Sequence, residues 1–466
     1  MNATLRDYFR LPQQFDGLAA TPELPSKAGF FRFGDDIVAY GQCGAGVSSQ
    51  FRTALPDALP KVRCRRGEAL DLPFDLTAVI DNLRQERYAD QLYSSPSVTL
   101  FGDLYYSVRP LLPLWLRKHV QRLYLHGWRS LPFPQWPVDF TVENLLQRVL
   151  ALLLQSEGLD SVPFIWFWPD AAMSCALITH DVETTAGRDF CRELMEIDAA
   201  FSVRSAFQII PEERYHVTPE FLDSLRAGGF EINVHDINHD GQLFRHHEGF
   251  LSRAEQINRY GEQFGARGFR SGILYRRVDW YDALRFDYDM SVPNVARLDP
   301  QRGGCCTVMP FFIGKILEIP TTTTQDYTLF HILHDYSIDL WKRQLQLIRS
   351  QHGLASLIVH PDYIIEPRAR NVYQDLLQHL STLRTAEQWW ITTPGEVNRW
   401  WRLRSQMELV RYPDGWSIEG EGKERARVAY ARLSEGRITF EFDDPGADGS
   451  LAHSEGRSAG SGPGRR

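Results

Sequence analysis

The stretch Ala176-Leu177-Ile178-Thr179-His180-Asp181-Val182-Glu183 decides the fold, because an apolar run ends there abruptly in two carboxylates one residue apart. An apolar segment of this length, bounded by polar residues, is typical of a buried β-strand. Polar side chains at the carboxyl end of such a strand lie at the mouth of an α/β fold, where catalytic groups are usually found. Asp181 and Glu183 could converge there on one ion. They could also follow the strand into a helix N-terminus, whose dipole they would complement.

Residues from about 162 to 403 alternate between short apolar runs and helical patterns. Helix starts are indicated by Thr218-Pro219, with proline at the first helical position, and by the capping-box patterns of Ser252–Glu255 and Thr393–Glu396. About seven or eight β/α units favour an α/β fold with a parallel β/α barrel at 151–404 over an open sheet, although periodicity alone does not separate the two. Strands are predicted at Cys175–Thr179, Ser205–Ile210, Phe230–Val234, Gly268–Ser271, Asp289–Val292, Lys315–Pro320, Leu354–Val359 and Trp389–Thr392.

The regions on either side of the predicted barrel have a different character. Residues 1–150 lack regular strand–helix alternation and are rich in aromatic residues and proline, which predicts an N-terminal α+β region of unknown role. Within it, residues 94–106 are β-like. Residues 113–126 form a basic amphipathic pattern that suits an anionic ligand, a peripheral membrane contact or simply a docked helix with a solvated face. Residues 405–443 predict a small β add-on, and the Gly/Ser-rich residues 444–466 predict a disordered tail.

Composition narrows the class of protein. The 466 residues are 43% apolar and 12% aromatic, enough for two or three domains with real cores. A net charge of −8 and a pI near 6.0 argue against a nucleic-acid partner. Six scattered cysteines without a C-x-x-C pair predict reduced thiols. The start lacks a basic and apolar leader, and no apolar run approaches the ~20 residues of a membrane span. We therefore expect a cytoplasmic protein without a transmembrane segment; the sequence does not indicate its oligomeric state.

A second predicted strand ends in a pair of histidines. Phe230–Val234 is followed by His235-Asp236-Ile237-Asn238-His239. If a helical turn follows the strand, His235 and His239 project from one face and can share a divalent transition metal. Position 236 is Asp rather than the Glu of the zinc-protease pattern, so a general base would have to come from elsewhere. Asp181 or Glu183 could supply it.

Three further predicted strands also end in polar residues, namely Arg270, Asp289 and His360. Taken singly, each has an ordinary explanation: a surface ion-pair partner, a turn former and a core histidine. Five successive polar strand ends, however, are what the mouth of a catalytic barrel needs and what stability alone does not.

The order of these motifs resembles the polysaccharide deacetylases, carbohydrate esterase family 4. The resemblance covers roughly the middle half of the chain and implies a distorted (β/α)7-type barrel, a divalent metal and hydrolysis of an N-acetyl group. The five matching motifs are T-H-D-V-E (179–183), H-D-I-N-H (235–239), R-S-G (270–272), D-M-S-V-P (289–293) and L-I-V-H (357–360).

The resemblance also implies a role for each motif residue. The implied metal ligands are Glu183, His235 and His239. Asp181 would be the general base, oriented by Arg270, and His360 the general acid, tuned by Asp289. These roles agree with the chemistry, since attack by water on an amide needs a carboxylate as proton acceptor and the departing amine needs an acid. A carboxylate neighbour, either Asp289 or Asp362, would raise the pKa of His360 into a useful range.

Two motifs depart from the family pattern. The metal carboxylate is a glutamate, one residue further along than the second of the usual adjacent aspartates, and the third motif lacks the usual proline and aromatic residue after Arg270. Glu318 and Thr321–Thr324 follow another strand and could line the pocket or form a polar turn. Cys305-Cys306 is given no role.

Three functions remain open from the sequence. The first is a metal-dependent hydrolase that removes an N-acetyl group from an amino sugar or glycan precursor, with Zn²⁺ as the expected metal and Co²⁺ or Ni²⁺ as alternatives. The second is an allantoinase-like hydrolase of cyclic amides on the same barrel. The third is an inactive protein that binds a glycan or another partner.

Overall fold

The computed structural model describes residues 3–13, 15, 18–19, 23–51, 54–64, 69–92, 133–413 and 415–442. The sequence predictions for residues 94–106, 113–126 and 444–466 lie outside these ranges. Within them, no helix is both long enough and apolar enough to cross a membrane. A cytoplasmic location stays a prediction.

The described chain alternates between strands and helices. The strands are β1 (Gly29–Arg32), β2 (Val38–Gly41), β3 (Ser161–Ile165), β4 (Ser174–Val182), β5 (Ala206–Ile209), β6 (Glu231–His235), β7 (Gly268–Arg270), β8 (Tyr288–Asp289), β9 (Phe311–Ile313), β10 (Ile316–Glu318), β11 (Leu354–Ile358), β12 (Trp389–Thr392), β13 (Glu408–Tyr412), β14 (Gly415–Glu419), β15 (Val428–Ser434) and β16 (Arg437–Glu441). The α-helices are α1 (Ala3–Phe9), α2 (Leu76–Arg84), α3 (Ala89–Leu92), α4 (Thr141–Glu157), α5 (Thr185–Ala200), α6 (Pro219–Ala227), α7 (His247–Phe264), α8 (Asp339–Ser350), α9 (Pro367–Ala386) and α10 (Pro394–Gln406).

A nine-stranded sheet forms the centre of the fold, in the order β11-β4-β5-β6-β7-β8-β10-β9, with β12 paired to the first half of β4. Every ladder in it is parallel except that between β9 and β10. All nine residues of β4 are buried, as expected for a parallel strand covered on both faces. All eight strands predicted from the apolar runs are present, and the fold is α/β.

Side chains connect the two ends of the curled parallel array. The Thr322 hydroxyl donates to the carbonyl of Leu354 at 2.7 Å and accepts from the amide of Ser356 at 2.9 Å. The Thr323 hydroxyl donates to the carbonyl of Ser356 at 2.8 Å. In the described chain, these bonds link the segment after β10 to β11, where no backbone ladder joins the two strands. Closure as a (β/α)7 barrel stays a prediction.

Two of the three predicted helix starts are confirmed. Thr218 caps α6 by accepting from the amide of Phe221, and Thr393 caps α10 by accepting from the amide of Glu396. The start predicted at Ser252 is wrong, because α7 begins at His247 and Ser252 lies inside it. A capping-box pattern can recur within a helix, and the buried face of α7 already includes Phe250.

The strands predicted after residue 405 are present, and one of them pairs with an earlier part of the chain. β13 and β14 form a hairpin, and β15 pairs antiparallel with both β16 and β3. One hydrophobic core includes residues of the N-terminal region, α4, β3 and the C-terminal strands, such as Phe9, Leu146, Phe164 and Ala429. The predicted domain bounds at 150, 404 and 443 stay predictions.

Candidate metal and catalytic site

The predicted site residues lie at the carboxyl ends of neighbouring parallel strands. Asp181 is near the end of β4 and Glu183 follows it, whereas His235 and Arg270 are the last residues of β6 and β7. His360 follows β11 by two residues. Since parallel strands end at one edge of the sheet, these side chains converge there.

Glu183, His235 and His239 form a cluster of candidate metal ligands. One ligand atom from each residue lies within 4.8 Å of the others. Oε1 of Glu183 lies 2.9 Å from Nε2 of His239 and 3.7 Å from Nε2 of His235. The helical turn expected at 235–239 is absent, and left-handed backbone at Asp236 (φ 56°) and His239 (φ 56°) brings the imidazoles together instead. Their ring centroids are 4.9 Å apart.

The donor atoms fit a divalent transition metal. Nδ1 of His235 lies 3.1 Å from the carbonyl oxygen of Arg270 and donates to it, so Nε2 is the nitrogen whose lone pair a neutral imidazole would offer to a metal. Nε2 of His235 is buried without a hydrogen-bond partner, which fits a role as a metal ligand. Burial raises the pKa of Glu183, but the charge of His239, whose Nε2 lies within hydrogen-bond distance, holds it well below its usual value. The cluster therefore offers one carboxylate and two imidazoles, a ligand set that suits zinc.

Asp181 is fixed beside this cluster by a buried arginine. Nη1 of Arg270 donates to Oδ1 of Asp181 at 2.5 Å and to the Thr179 hydroxyl at 2.7 Å, while Nε donates to the carbonyl of Met290 at 3.1 Å. Oδ2 of Asp181 lies 3.7 Å from Nε2 of His235. Burial raises the pKa of Asp181, yet the charge of Arg270, followed by those of two histidines, brings it below its usual value. Asp181 is therefore an ionised carboxylate beside the cluster.

His360 is paired with a carboxylate that the sequence did not identify. Its Nδ1 lies 2.6 Å from Oδ1 of Asp326, and its backbone amide donates to Oδ2 of the same residue at 2.7 Å. Nε2 of His360 lies 3.6 Å from Oε1 of Glu183. Burial lowers the pKa of His360, but the charge of Asp326 and the hydrogen bond to it raise the pKa well above its usual value.

The prediction that Asp289 is the neighbour of His360 is therefore wrong. Asp289 lies on β8 in register with Glu318 on β10, so the two buried carboxyl groups adjoin each other. The Asp289 carboxylate accepts hydrogen bonds from the amide and hydroxyl of Ser291. Burial and the charge of Asp289 raise the pKa of Glu318 well above its usual value. Burial raises the pKa of the alternative neighbour, Asp362, to about 6 overall, although Asp362 lies close enough to His360 for the charge of that histidine to lower its pKa.

Three residues around the site were missed by the sequence argument. Asp326 comes shortly after the threonine run that the sequence marked as a candidate pocket wall, which is the only signal for it. Tyr363 packs its ring against His360, with centroids 4.7 Å apart. Arg214 donates from Nη2 to the carbonyl of His239 at 2.8 Å and holds that loop from outside.

Comparisons with known proteins find the same family among solved structures. No protein-family model matches the chain, and no curated protein does. A protein from Mycobacterium smegmatis assigned to the polysaccharide deacetylases is similar at 17% identity, over 51% of this chain and 93% of that one, with a TM-score of 0.43. Puue allantoinase is similar at 14% identity, over 50% of this chain and 92% of that one, with a TM-score of 0.37. A mutant of a pseudoenzyme from carbohydrate esterase family 4 (CE4), with restored enzymatic activity, is similar at 14% identity. The match covers 48% of this chain and 67% of that one, with a TM-score of 0.30.

The predicted resemblance to polysaccharide deacetylases thus recurs among similar solved structures.

Proposed function

We propose that the chain is a metal-dependent hydrolase that removes an N-acetyl group from an amino sugar or glycan precursor. The supporting observation is the grouping of three kinds of side chain at one sheet edge. These are a metal-ligand cluster, an ionised carboxylate fixed by Arg270, and a histidine fixed by Asp326. As part of the same proposal, the curled sheet closes as a (β/α)7 barrel around this edge.

Glu183, His235 and His239 would hold the metal. When bound, a divalent ion such as Zn²⁺ supplies Lewis acidity, which polarises an amide carbonyl and lowers the pKa of water. Co²⁺ and Ni²⁺ are alternatives that accept the same nitrogen and oxygen ligands. The buried, unpartnered Nε2 of His235 supports this assignment.

Asp181 takes the proton of the attacking water in this proposal. Because Oδ1 is held by Arg270, Oδ2 is the oxygen that faces the ligand cluster. The lowered pKa of Asp181 keeps the carboxylate ionised and able to accept a proton near neutral pH. Arg270 itself stays buried and orients the carboxylate without contacting the reacting atoms.

His360 gives a proton to the departing nitrogen. Asp326 occupies Nδ1, so Nε2 is the nitrogen that faces Glu183 and the site. The raised pKa of His360 keeps this nitrogen protonated at neutral pH. When the carbon–nitrogen bond breaks, the proton moves from Nε2 to nitrogen, and the products are acetate and a free amino sugar.

An acetate-release assay tests the proposal. Purified protein is stripped with a chelator, reloaded with Zn²⁺, Co²⁺ or Ni²⁺, and incubated with free, nucleotide-linked and lipid-linked N-acetylated amino sugars. Metal-dependent acetate release that Asp181→Asn abolishes is the expected result. Opening of allantoin or another ureide without acetate release would favour a cyclic-amide hydrolase. A folded protein that binds none of the three metals would favour a non-catalytic binding protein.

A further inference from the structure

The segment that follows Arg270 contains backbone strain next to the metal-ligand cluster. Ile273 (φ 62°) and Leu274 (φ 53°) are consecutive non-glycine residues in the left-handed region. A β-branched residue such as Ile273 is a rare outlier there. Each residue of this kind is energetically costly and persists only where the surrounding structure holds it.

This strained segment packs against the loop that carries His239. A Cβ placed on Gly272 would lie 3.0 Å from the imidazole Cδ2 of His239 and 2.5 Å from a carboxylate oxygen of Asp236. A Cβ placed on Gly241 would lie 3.0 Å from Cδ1 of Ile273. A shift of residues 272–274 would therefore be transmitted directly to the His239 ring.

Arg276 fixes the end of the strained segment. Its Nη1 donates to the carbonyl of Leu274 at 2.8 Å. The side chain of Gln301 forms two hydrogen bonds with the backbone of Arg276. Its Oε1 accepts from the Arg276 amide at 3.0 Å, and its Nε2 donates to the Arg276 carbonyl at 3.1 Å. The guanidinium, together with Gln301, therefore connects the strained turn to its surroundings.

The partner of this guanidinium comes from the N-terminal region. Nε and Nη2 of Arg276 donate to the two carboxylate oxygens of Glu86, each at 2.5 Å, and the two side chains are only 1% and 7% exposed. Oε1 of Glu86 also accepts from the amide of Gly304 at 2.5 Å, and the Tyr88 hydroxyl donates to the Gly304 carbonyl at 2.6 Å. Such a bidentate pair is strong and directional. Because both side chains are almost fully buried, the pair is not a solvent-exposed surface ion pair.

We propose that Glu86 is a positioning residue for the metal site, acting through Arg276 on the strained turn at Ile273 and Leu274. The proposal rests on the metal site proposed above and gives the N-terminal region a specific function. That region supplies the carboxylate that, through Arg276, holds residues 272–274 against the His239 ring. Without it, the turn relaxes and His239 moves away from Glu183.

Two measurements on the full chain test this role. Glu86→Gln keeps the shape of the side chain but removes its charge. We expect faster hydrogen exchange in residues 272–276 of the metal-free protein, and a Co²⁺ affinity lowered by about 10–100-fold, as for other partners of metal ligands. Arg276→Lys is a second variant that keeps the charge beside Glu86 but cannot form the two-pronged contact. It should change both measurements in the same direction even if Glu86→Gln does not fold.

A rescue experiment separates positioning from general stabilisation. Glycine adopts positive φ without strain, so in Ile273→Gly the turn should no longer need the Glu86–Arg276 ion pair. Added to either weakened variant, it should restore the Co²⁺ affinity to within about threefold of the wild-type value, which repair of a merely destabilised fold would not explain. Asp36→Asn breaks an exposed ion pair with Arg148 instead and should leave both measurements unchanged.

The outcomes also distinguish this inference from the proposed function. A wild-type protein that does not bind Co²⁺ contradicts the metal site. The hydrogen-exchange comparison then still tests whether the Glu86–Arg276 ion pair holds residues 272–276. Folded variants with unchanged hydrogen exchange and unchanged Co²⁺ affinity would overturn the positioning role of Glu86, while the proposed metal site would stand. Lost affinity that Ile273→Gly fails to restore would overturn the role of strain relief.

Discussion

Replacing Asp326 by asparagine should change the pH dependence of catalysis by a predictable amount. The carboxylate lies 2.6 Å from Nδ1 of His360 and 2.7 Å from its backbone nitrogen, and both residues are buried. A hydrogen bond to a charged group contributes about 1.5–3 kcal/mol. Its loss destabilises the protonated imidazole by that amount, so the pKa of His360 falls. The proposed acid works protonated, so the basic limb of the pH–rate profile moves to lower pH.

The assay is the pH dependence of kcat for metal-loaded enzyme, with Co²⁺ affinity as a check that the ligand cluster is intact. At a pH above the wild-type limb, Asp326→Asn should be about ten- to a hundredfold slower, and at low pH the two enzymes should converge. Asp289→Asn is the matched control, because that carboxylate adjoins Glu318 and not His360. An unmoved limb in Asp326→Asn, or a limb moved equally by Asp289→Asn, would refute the reasoning.

Four other changes have distinct expected results. Asp181→Asn should lower turnover by about 100-fold or more while the metal is retained, whereas His239→Ala should lose both turnover and metal, as metal analysis and the acetate assay would show. Gly272→Ala would place a methyl group 3.0 Å from the His239 ring and should weaken Co²⁺ binding, whereas Gly249→Ala, with no atom within 4 Å, should not. Burial raises the pKa of Glu143 from 4.5 to about 7, so the folded state keeps the proton longer than the unfolded chain does. Stability therefore falls between those pH values by about 3 kcal/mol, and Glu143→Gln should recover that amount in urea unfolding at pH 8 but nothing near pH 4.

The sequence was sufficient for the strands and for most of the site. Apolar runs ending in polar residues predicted each parallel strand, and parallel strands necessarily bring their carboxyl ends to one edge. This is why Asp181, His235, Arg270 and His360 could be grouped without a structure. The grouping needed only the order of the strands, not the distances between them.

The partners of these residues could not be predicted in the same way. Asp326 reaches His360 because the threonines after β10 bond to β11 through their side chains, a contact that no periodicity encodes. The left-handed backbone at His239, whose ring packs against Gly272, is likewise not encoded by any periodicity. Glu86 contributes from a region whose sequence gave no indication of a link to the site.

The pairing of β3 with β15 has a consequence for synthesis of the chain. β3 precedes the parallel strands in sequence, yet the edge that it presents to β15 is filled only by residues 428–432. On a ribosome, every strand of the central sheet emerges before that partner does, since chains fold from the N-terminus as they are made. The open edge of β3 is therefore exposed to other chains for most of translation. A chain released before residue 428 would keep this edge unpaired, so premature termination should favour aggregation even where the central sheet is complete.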